Sequence, residues 1–343
     1  NESSLAQSVL EPTATGFKLR SAGGDFNGSG ATYIYMAIRR GPLAEPESAT
    51  DVFHAANGGA NHNSVPFPTD FIATTLQSGA DNYAMARIQG KKYTKLYDND
   101  PYNDFNNFIA MWEDMTGTDL DTAGWWSSSS TDTVGWHWKR APGFCDVVVY
   151  EGTGSAQNIN HNLGVAPEMM WIKSYASGGY DWVVYHKDLS PSNRLMLKIN
   201  ESGTGVNRAA FLDSTDPTST VFRVGTDSLT NNSSTKYVAK LFGTVAGVSK
   251  VGSFTGTTTD QTIDCGFSSG ARFVLIKLTS GSGDWIIWDS TRGIVSGNDP
   301  YLLLNSNAAE VTNTDFIDPH SSGFTVTAGF QNNLSEYIFY AIA

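Results

Sequence analysis

The sequence has few charged residues and few cysteines. Asp, Glu, Lys and Arg make up 16% of the 343 residues, against roughly 25% in an average globular domain. The polar surface must therefore come from Ser, Thr, Asn and Gly, which favour turns and strand faces over helices. Two cysteines do not make a disulfide framework, so we expect Cys145 and Cys265 to be small, buried, hydrophobic residues.

Long apolar runs are absent as well. No stretch of 18 apolar residues occurs, which excludes a membrane-spanning helix within these residues. The net charge of 22 − 34 = −12 opposes binding to nucleic acid and insertion into anionic membranes. Aromatic residues and glycine are abundant instead, with 9 Trp, 14 Tyr, 18 Phe and 34 Gly. This composition is typical of an all-β protein with many short strands and glycine turns.

One segment recurs four times along the chain, and we call it the closing strand because it is predicted to be the last strand of each repeating unit. The two best copies start at Tyr237 and Tyr337, which are 337 − 237 = 100 residues apart. Each follows a turn rich in Asn and Ser and, before that turn, a strand containing phenylalanine. The four copies are Tyr33-Ile-Tyr-Met-Ala-Ile38, Gly135-Trp-His-Trp-Lys-Arg140, Tyr237-Val-Ala-Lys-Leu-Phe242 and Tyr337-Ile-Phe-Tyr-Ala-Ile342.

The front half of the unit recurs too. Val147-Val-Val-Tyr150 corresponds to Val251-Gly-Ser-Phe254, an offset of 254 − 150 = 104 residues. Met170-Trp-Ile-Lys173 corresponds to Val274-Leu-Ile-Lys277 at the same offset. The boundaries therefore fall near residues 43, 143 and 247. They define the C-terminal part of a truncated repeat (1–43), a divergent repeat 1 (44–142), repeat 2 (143–246) and repeat 3 (247–343).

A period near 100 residues predicts self-contained domains, because solenoid and propeller units span only about 20 to 50 residues. Within a unit, short apolar runs alternate with Gly, Asn, Asp or Ser turns, which favours tandem β-sandwich domains of the jelly-roll or lectin-like kind. We expect each repeat to have its own core and to fold alone. Three such domains in a row would form a rod on the order of 100 Å long.

Several segments resemble the repeat of tail-fibre-like virion proteins from marine and cyanobacterial tailed phages. The resemblance is good over residues 143–343 and 1–43, and poor over 44–142 apart from its end. It implies an extracellular virion appendage, with other virion proteins as partners and a homo-oligomer as an option, and it carries no catalytic set. The segments are Gly135-Trp-His-Trp-Lys-Arg-Ala-Pro-Gly-Phe144, Asp146-Val-Val-Val-Tyr-Glu-Gly-Thr-Gly154, His161-Asn-Leu-Gly-Val-Ala-Pro-Glu-Met-Met170 and Val183-Val-Tyr-His-Lys187.

The densest group of side-chain oxygens lies in repeat 1, at Asp98, Asp100, Asn103 and Asp104. Carboxylate and carbonyl oxygens are the ligands that Ca²⁺ prefers. The spacing lacks the glycine and terminal glutamate of an EF-hand loop, so a plain solvated turn is the alternative to a calcium site. His54 and His62, eight residues apart, are a weaker candidate for metal binding.

Three tryptophans of repeat 1, Trp112, Trp125 and Trp126, are candidates for sugar binding. A tryptophan face stacks on the apolar side of a pyranose, and Ser and Asp neighbours suit its hydroxyls. Burial in the sandwich is the alternative. Tryptophans on repeated strands, namely Trp171, Trp182 and Trp285, are predicted to be core residues.

Nothing in the sequence forms a recognisable catalytic set, and we expect no enzymatic activity. The carboxylates that would suit a glycosidase, Asp284 with Asp289 and Asp181 with Asp188, are better interpreted as strand ends. Three functions stay open: a tail-fibre segment that projects toward or binds the host surface, a capsid decoration or filament subunit, and a secreted bacterial glycan-binding module.

Overall fold

The fold was analysed in a computed structural model. It describes residues 10–13, 16–19, 28–36, 43–58, 62, 64–79, 82–90, 92–100, 103–104, 131–175, 178–189, 195–207 and 209–343. The chain divides into two compact units, residues 1–43 and residues 44–343. Within the described residues, no helix has the length and apolarity needed to cross a membrane. The N-terminal unit contains one antiparallel hairpin, formed by β1 (Leu10–Thr13) and β2 (Gly16–Leu19).

Repeat 1 forms a large antiparallel sheet of six strands. Short 3-10 helices occur at Ala49–Asp51, where the Ser48 side chain caps the first turn, and at Arg87–Gln89. In spatial order the strands are β3 (Phe53–Asn57), β8 (Thr133–Trp138), β4 (Phe71–Leu76), β5 (Tyr83–Ala86), β6 (Lys92–Lys95) and β7 (Asn103–Asp104).

Repeat 2 forms a large sheet of the same order and a smaller two-stranded sheet. A 3-10 helix spans Ala209–Phe211, and one α-helical turn, capped by Asp227, spans Ser228–Asn231. The large sheet runs β9 (Cys145–Glu151), β16 (Lys236–Phe242), β11 (Met169–Ser174), β12 (Val183–His186), β13 (Leu195–Lys198) and β14 (Val206–Asn207), and the small sheet pairs β10 (Gln157–Asn160) with β15 (Val221–Val224).

Repeat 3 repeats this order with five strands, and its small sheet has three. The large sheet runs β17 (Ser249–Thr255), β24 (Glu336–Ile342), β19 (Phe273–Leu278), β20 (Trp285–Asp289) and β21 (Leu302–Leu303), and the small sheet runs β18 (Gln261–Asp264), β23 (Gly323–Val326) and β22 (Ile317–His320).

The two sheets of repeat 3 enclose a hydrophobic core. Ile263 and Phe324 of the small sheet belong to one buried cluster with Val274, Ile276 and Phe339 of the large sheet. Aromatic and β-branched side chains fill such a layer well because they stand perpendicular to the pleated surface. The prediction of an all-β sandwich fold is confirmed.

The other face of each large sheet is buried as well, against the large sheets of the other two repeats. Phe53 of repeat 1 contacts Phe273 of repeat 3, with ring centroids 5.2 Å apart. Phe71 of repeat 1 lies 6.4 Å from Phe242 of repeat 2. Phe242 in turn lies 5.1 Å from Tyr340 of repeat 3. Each repeat therefore touches both others, and one core cluster contains residues of all three.

Equivalent strands hold equivalent places in this arrangement. The same register pairs Trp138 with Phe71 in repeat 1, Phe242 with Met169 in repeat 2 and Ile342 with Phe273 in repeat 3. The central strands β8, β16 and β24 are covered on both faces, and from Val134, Tyr237 and Tyr337 onward every described residue of them is buried. The large sheets of the three repeats thus share one central core in a pseudo-threefold ring.

The sequence predicts a separate core in each repeat, and repeat 3 has a core cluster of its own. The structure adds a second cluster that contains residues of all three repeats, and residues 44–343 form a single compact unit. The physical reason is that the large sheets have two apolar faces, of which the small sheet covers one in repeat 3. The second face is removed from water only when the three repeats meet.

We expect residues 44–343 to unfold in one cooperative transition. Phe242→Ala removes a ring at the junction of all three repeats, and it should lower the free energy of unfolding by about 3–5 kcal/mol without splitting the transition. Denaturant titration followed by near-UV and far-UV circular dichroism measures this. Val206→Ala, at a partly exposed site on β14, is the control and should change stability by less than about 0.5 kcal/mol. Separate transitions for the repeats would contradict a shared core.

Candidate functional site

The most extensive polar arrangement in the described part of the chain lies where the repeats join. The indole of Trp182, just before β12, donates from Nε1 to the carbonyl of Lys95 in repeat 1 at 2.6 Å. The indole of Trp285, the first residue of β20, donates to the carbonyl of Lys198 in repeat 2 at 2.8 Å. Lys95 and Lys198 hold the same register position, on β6 and β13. The same hydrogen bond therefore joins repeats 2 and 1 and repeats 3 and 2.

Asn82 closes the ring between repeats 1 and 3. It precedes β5, as Trp182 precedes β12, and its amide Nδ2 donates to the carbonyls of Leu303 at 2.8 Å and Ser306 at 2.7 Å. Leu303 lies on β21, at the position equivalent to the two acceptor lysines. The donor of the hydrogen bond between repeats therefore has the same register position at all three junctions. It is an indole at two of them and the Asn82 amide at the third.

A hydrogen-bonded Asp and Asn, which we call a bracket, hold the backbone of Trp182 and of Trp285 in place. Asn200 accepts a hydrogen bond from the backbone N–H of Trp182 at 2.9 Å and donates to Asp181 at 2.9 Å. Burial alone would raise the pKa of Asp181, but hydrogen bonds from Lys198 and Asn200 hold it below its ordinary value. Repeat 3 has the same bracket, in which Asn305 accepts from Trp285 N–H at 2.8 Å and donates to Asp284 at 2.8 Å.

A buried ion-pair network also connects repeats 1 and 3. Arg292 donates from Nε to Asp289 at 2.6 Å and from Nη1 to Glu310 at 2.9 Å. Trp136 of repeat 1 donates to the same Asp289 at 2.9 Å, and Gln77 of repeat 1 donates to Glu310 at 3.1 Å. Because Arg292 and Asp289 are almost fully buried, removing either would leave an uncompensated charge in the protein interior.

The carboxylates that would suit a glycosidase all have structural partners. Asp181 and Asp284 belong to the Asp and Asn brackets, and Asp289 belongs to the network with Arg292. Asp188 accepts hydrogen bonds from its neighbour Lys187 at 2.9 and 3.0 Å. Their interpretation as strand-end residues is consistent with this geometry.

Two lysines at equivalent positions bind carbonyls near the junctions. Lys277 donates from Nζ to Gly283 of its own repeat at 2.6 Å and to Ser202 of repeat 2 at 3.0 Å. Lys173 donates to Tyr180 at 2.6 Å. Burial lowers the pKa of each ammonium to about 8. Both lysines act as hydrogen-bond donors that fasten loops to the sheet ends.

Lys240 differs from both, because its ammonium lies in the central core. Its Nζ has no hydrogen-bond partner among the described residues, and it lies 4.3 Å from the ring centroid of Trp182 and 5.2 Å from that of Phe71. Burial, followed by the charge of Lys173, lowers the pKa of Lys240 well below its ordinary value. With no exposed surface, this amine has no contact with solvent.

The calcium hypothesis concerned Asp98, Asp100 and Asp104. Asp98 and Asp100 lie near the Lys95 ammonium, at 3.7 and 3.8 Å, and the backbone N–H of Asp100 donates to Asp98 at 3.0 Å. Burial raises the pKa of Asp98. Asp104 is the last residue of β7, and its side chain lies outside the described residues. Among the described residues no three His, Cys, Asp or Glu side chains are grouped for a metal ion, and the calcium site stays a prediction.

The predicted sugar-binding residues Trp112, Trp125 and Trp126 lie outside the described residues, so that site also stays a prediction. The prediction that Trp171, Trp182 and Trp285 belong to the core is confirmed, because each is almost fully buried. Cys145 and Cys265 are buried free thiols, as expected.

A buried histidine pair was missed by the sequence reasoning. His62 Nδ1 and His137 Nε2 lie 2.9 Å apart, and Thr69 Oγ1 lies 3.0 Å from His137 Nδ1. Strand pairing places His54 directly opposite His137. Burial lowers the pKa of His62 to about 4 and that of His137 well below its ordinary value. His62 belongs to none of the described strands and lies 75 residues from His137, so local sequence gives no signal for this pair.

The neutral histidine pair should make the protein sensitive to acid. An unfolded histidine titrates near pH 6.5, so as the pH falls from about 6.5 to 4 the unfolded state binds more protons and stability is lost, by about 1.4 kcal/mol per pH unit for each such histidine. His137→Leu, the residue that repeat 2 has at the equivalent position 241, should reduce this slope by one histidine.

Denaturant titrations between pH 4 and 7.5 measure that slope. Thr69→Val is the matched control, because it removes the hydroxyl that His137 contacts and leaves both imidazoles in place, so the slope should persist at lower overall stability. An unchanged slope in His137→Leu would contradict this prediction, because it would mean that His137 binds a proton equally well in the folded and unfolded protein.

Comparison with known proteins gives a family but no function. No curated protein matches the sequence significantly. A family model described as "Domain of unknown function (DUF7483)" matches residues 50–343. The matched range includes every strand of the three large sheets and both small sheets, from β3 to β24. The chain therefore belongs to the DUF7483 family.

Proposed function

We propose that the chain is a structural and adhesive virion protein, a tail-fibre segment that projects toward or binds the host surface. The observation that carries the proposal is the closed ring of three large sheets around one core. A ring of this kind is a rigid module, because no repeat can open without exposing the central faces of its neighbours. Such cooperativity suits a particle appendage that must survive outside a cell.

The use of polar groups supports the same function. Several buried polar side chains at the junctions bind main-chain carbonyls or neutralise one another, as Trp182, Trp285 and Arg292 do. These groups join one repeat to the next, which favours a structural role over catalysis.

The proposed partners follow from charge and surface chemistry. A net charge of −12 disfavours nucleic acid and anionic membranes, whereas Ser, Thr, Asn and tryptophan suit neutral host glycans. We assign the glycan contact to the segment of repeat 1 that contains Trp112, Trp125 and Trp126. Other virion proteins are the remaining partners, and assembly of several copies in one fibre is part of the proposal.

Immunogold labelling of intact phage particles tests the location. Antibodies raised against residues 44–343 should label the tail or its fibres, because the proposal places this protein there. Labelling over the capsid would replace the tail-fibre assignment by a decoration protein. Recovery of the chain from culture fluid in fractions free of particles would contradict a virion protein of any kind.

Trp125→Ala with Trp126→Ala tests adhesion. If these tryptophans stack on sugars, and each lost stacking face costs about 0.5–1.5 kcal/mol as in aromatic pairs, the double variant should adsorb to host cells at least tenfold more weakly while its melting temperature is unchanged. Trp171→Ala is the control for a core tryptophan, and it should destabilise the ring by about 3–5 kcal/mol. A double variant that loses stability like Trp171→Ala would mean that both residues are core.

A further inference from the structure

Four polar groups in the central core have no hydrogen-bond partner among the described residues. All four side chains are completely buried, and they come from all three repeats. A buried polar group without a partner is unfavourable, because it has lost its hydrogen bonds to water. We call these groups the donor cluster: Trp138 Nε1 of repeat 1, Trp171 Nε1 and Lys240 Nζ of repeat 2, and Tyr340 Oη of repeat 3.

The first three groups of the donor cluster lie around one phenylalanine ring. Trp171 and Lys240 are directly opposite each other on β11 and β16, so their side chains leave the sheet on the same face. Lys240 Nζ lies 5.2 Å from the ring centroid of Phe71. The same ring stacks on Trp138 with centroids 4.9 Å apart and lies edge-to-face with Trp171 at 6.1 Å. Strands of repeats 1 and 2 therefore bring one ammonium and two indoles together.

Tyr340 joins the donor cluster from the third repeat. Its ring centroid lies 5.1 Å from that of Phe242, which in turn lies 5.1 Å from Trp171 and 6.2 Å from Trp138. Burial, followed by the charge of Cys145, raises the pKa of the Tyr340 hydroxyl well above its ordinary value, and the Trp138 indole opposes that rise. The indole and the hydroxyl are therefore neighbours, although their geometry is not that of a hydrogen bond.

No described side chain supplies a negative charge for Lys240. Burial lowers the pKa of Lys240 well below its ordinary value, and the ionisable groups that act on it are Lys173 and Cys145. Lys173 is itself a cation. Burial also raises the pKa of Cys145 well above its ordinary value, so this thiol remains neutral. A protonated Lys240 therefore needs a counter-charge from outside the described residues.

The donor cluster suits an anion better than a water molecule. An ammonium and an indole N–H can only donate hydrogen bonds, and of the four groups only the Tyr340 hydroxyl can also accept. A buried water typically makes about three hydrogen bonds, some of which its own hydrogens must donate. A halide ion has no hydrogens, accepts several hydrogen bonds and balances the charge of Lys240. The chemistry of the four groups is therefore that of a halide site.

We propose that the donor cluster binds one small monovalent anion of the halide class, such as chloride, as the counter-ion of Lys240. The anion accepts hydrogen bonds from groups of all three repeats, so the site is complete only when the repeats meet. Because a neutral amine cannot balance the anion, Lys240 takes up one proton as the anion binds. The side chain has no exposed surface, so the anion enters while the core assembles and is retained afterwards.

Anomalous X-ray scattering tests the site in the unaltered chain. The full chain is unfolded in urea, refolded in sodium bromide and crystallised from bromide, which replaces chloride at halide sites. We expect an anomalous peak at the bromine absorption edge within hydrogen-bonding distance of Lys240 Nζ and of an indole Nε1. Absence of that peak would overturn the proposal, whether the density beside Lys240 is that of water or bromide is bound only at the surface.

Equilibrium unfolding gives a second, independent measurement. Urea denaturation is followed at constant ionic strength while sodium chloride is exchanged for sodium gluconate, whose anion is too large for a closed core. One bound anion that is released on unfolding lowers the unfolding equilibrium constant about tenfold for each tenfold rise in chloride above its Kd. We expect this dependence in the unaltered chain. Unfolding that does not depend on chloride would contradict a halide in the core.

Two lysine substitutions separate the core site from effects of salt on the surface. Lys240→Met keeps an unbranched side chain of similar size without the ammonium, and it should abolish the chloride dependence. Lys277→Met is the matched control, because Lys277 is also a buried lysine but binds the carbonyls of Gly283 and Ser202. This control should lose stability and keep the chloride dependence of the unaltered chain. A dependence that persists in Lys240→Met, or disappears in both variants, would contradict the assignment to Lys240.

Discussion

The structure depends on the aromatic contact among three large sheets. Phe71, Trp138, Phe242, Phe273 and Tyr340 form one cluster in which each repeat contributes at least one ring. Because apolar burial is the dominant favourable contribution to folding, this contact determines where every sheet must lie. The small sheets cover the outer faces, and the inter-repeat hydrogen bonds form where the sheet ends meet.

The shared core explains the small number of charged residues and the places where charge is buried. A sheet with two covered faces leaves few positions for solvated side chains, so the buried charges must be paired or bound to carbonyls. Arg292 with Asp289, and Lys277 with two carbonyls, follow that rule. Lys240 does not, and burial lowers its pKa well below the ordinary value.

The sequence was sufficient to predict the all-β sandwich and the 100-residue period, because both are encoded locally in turns and in the repeated closing strand. It was not sufficient to predict the ring. Domains in a linear row and domains in a ring have the same sequence period. The two arrangements are distinguished only by strands that are buried on both faces, such as Met169–Ser174. That strand reads Met-Met-Trp-Ile without alternation, which was the available signal for two covered faces.

The candidate sites also show what local sequence does not predict. Residue type alone suggested carboxylate pairs and histidines, yet their partners lie far away in the sequence, 75 residues for His62 with His137 and 153 residues for Trp136 with Asp289. Local sequence identifies which residues have useful chemistry. It does not identify the residue that already forms a hydrogen bond or ion pair with them, since that residue lies elsewhere in the fold or in another repeat.

Covalent linkage of the three repeats permits differences that a symmetric trimer could not have. At one position facing the central core the repeats have Trp136, Lys240 and Tyr340, and these residues share a register. In a homotrimer the same residue would occur three times around the axis, so a lysine there would place three amines in one apolar core. In a single chain one lysine is tolerated beside two aromatic rings. Each repeat has accordingly diverged to fit its two neighbours, and the ring keeps its shape with three different junctions.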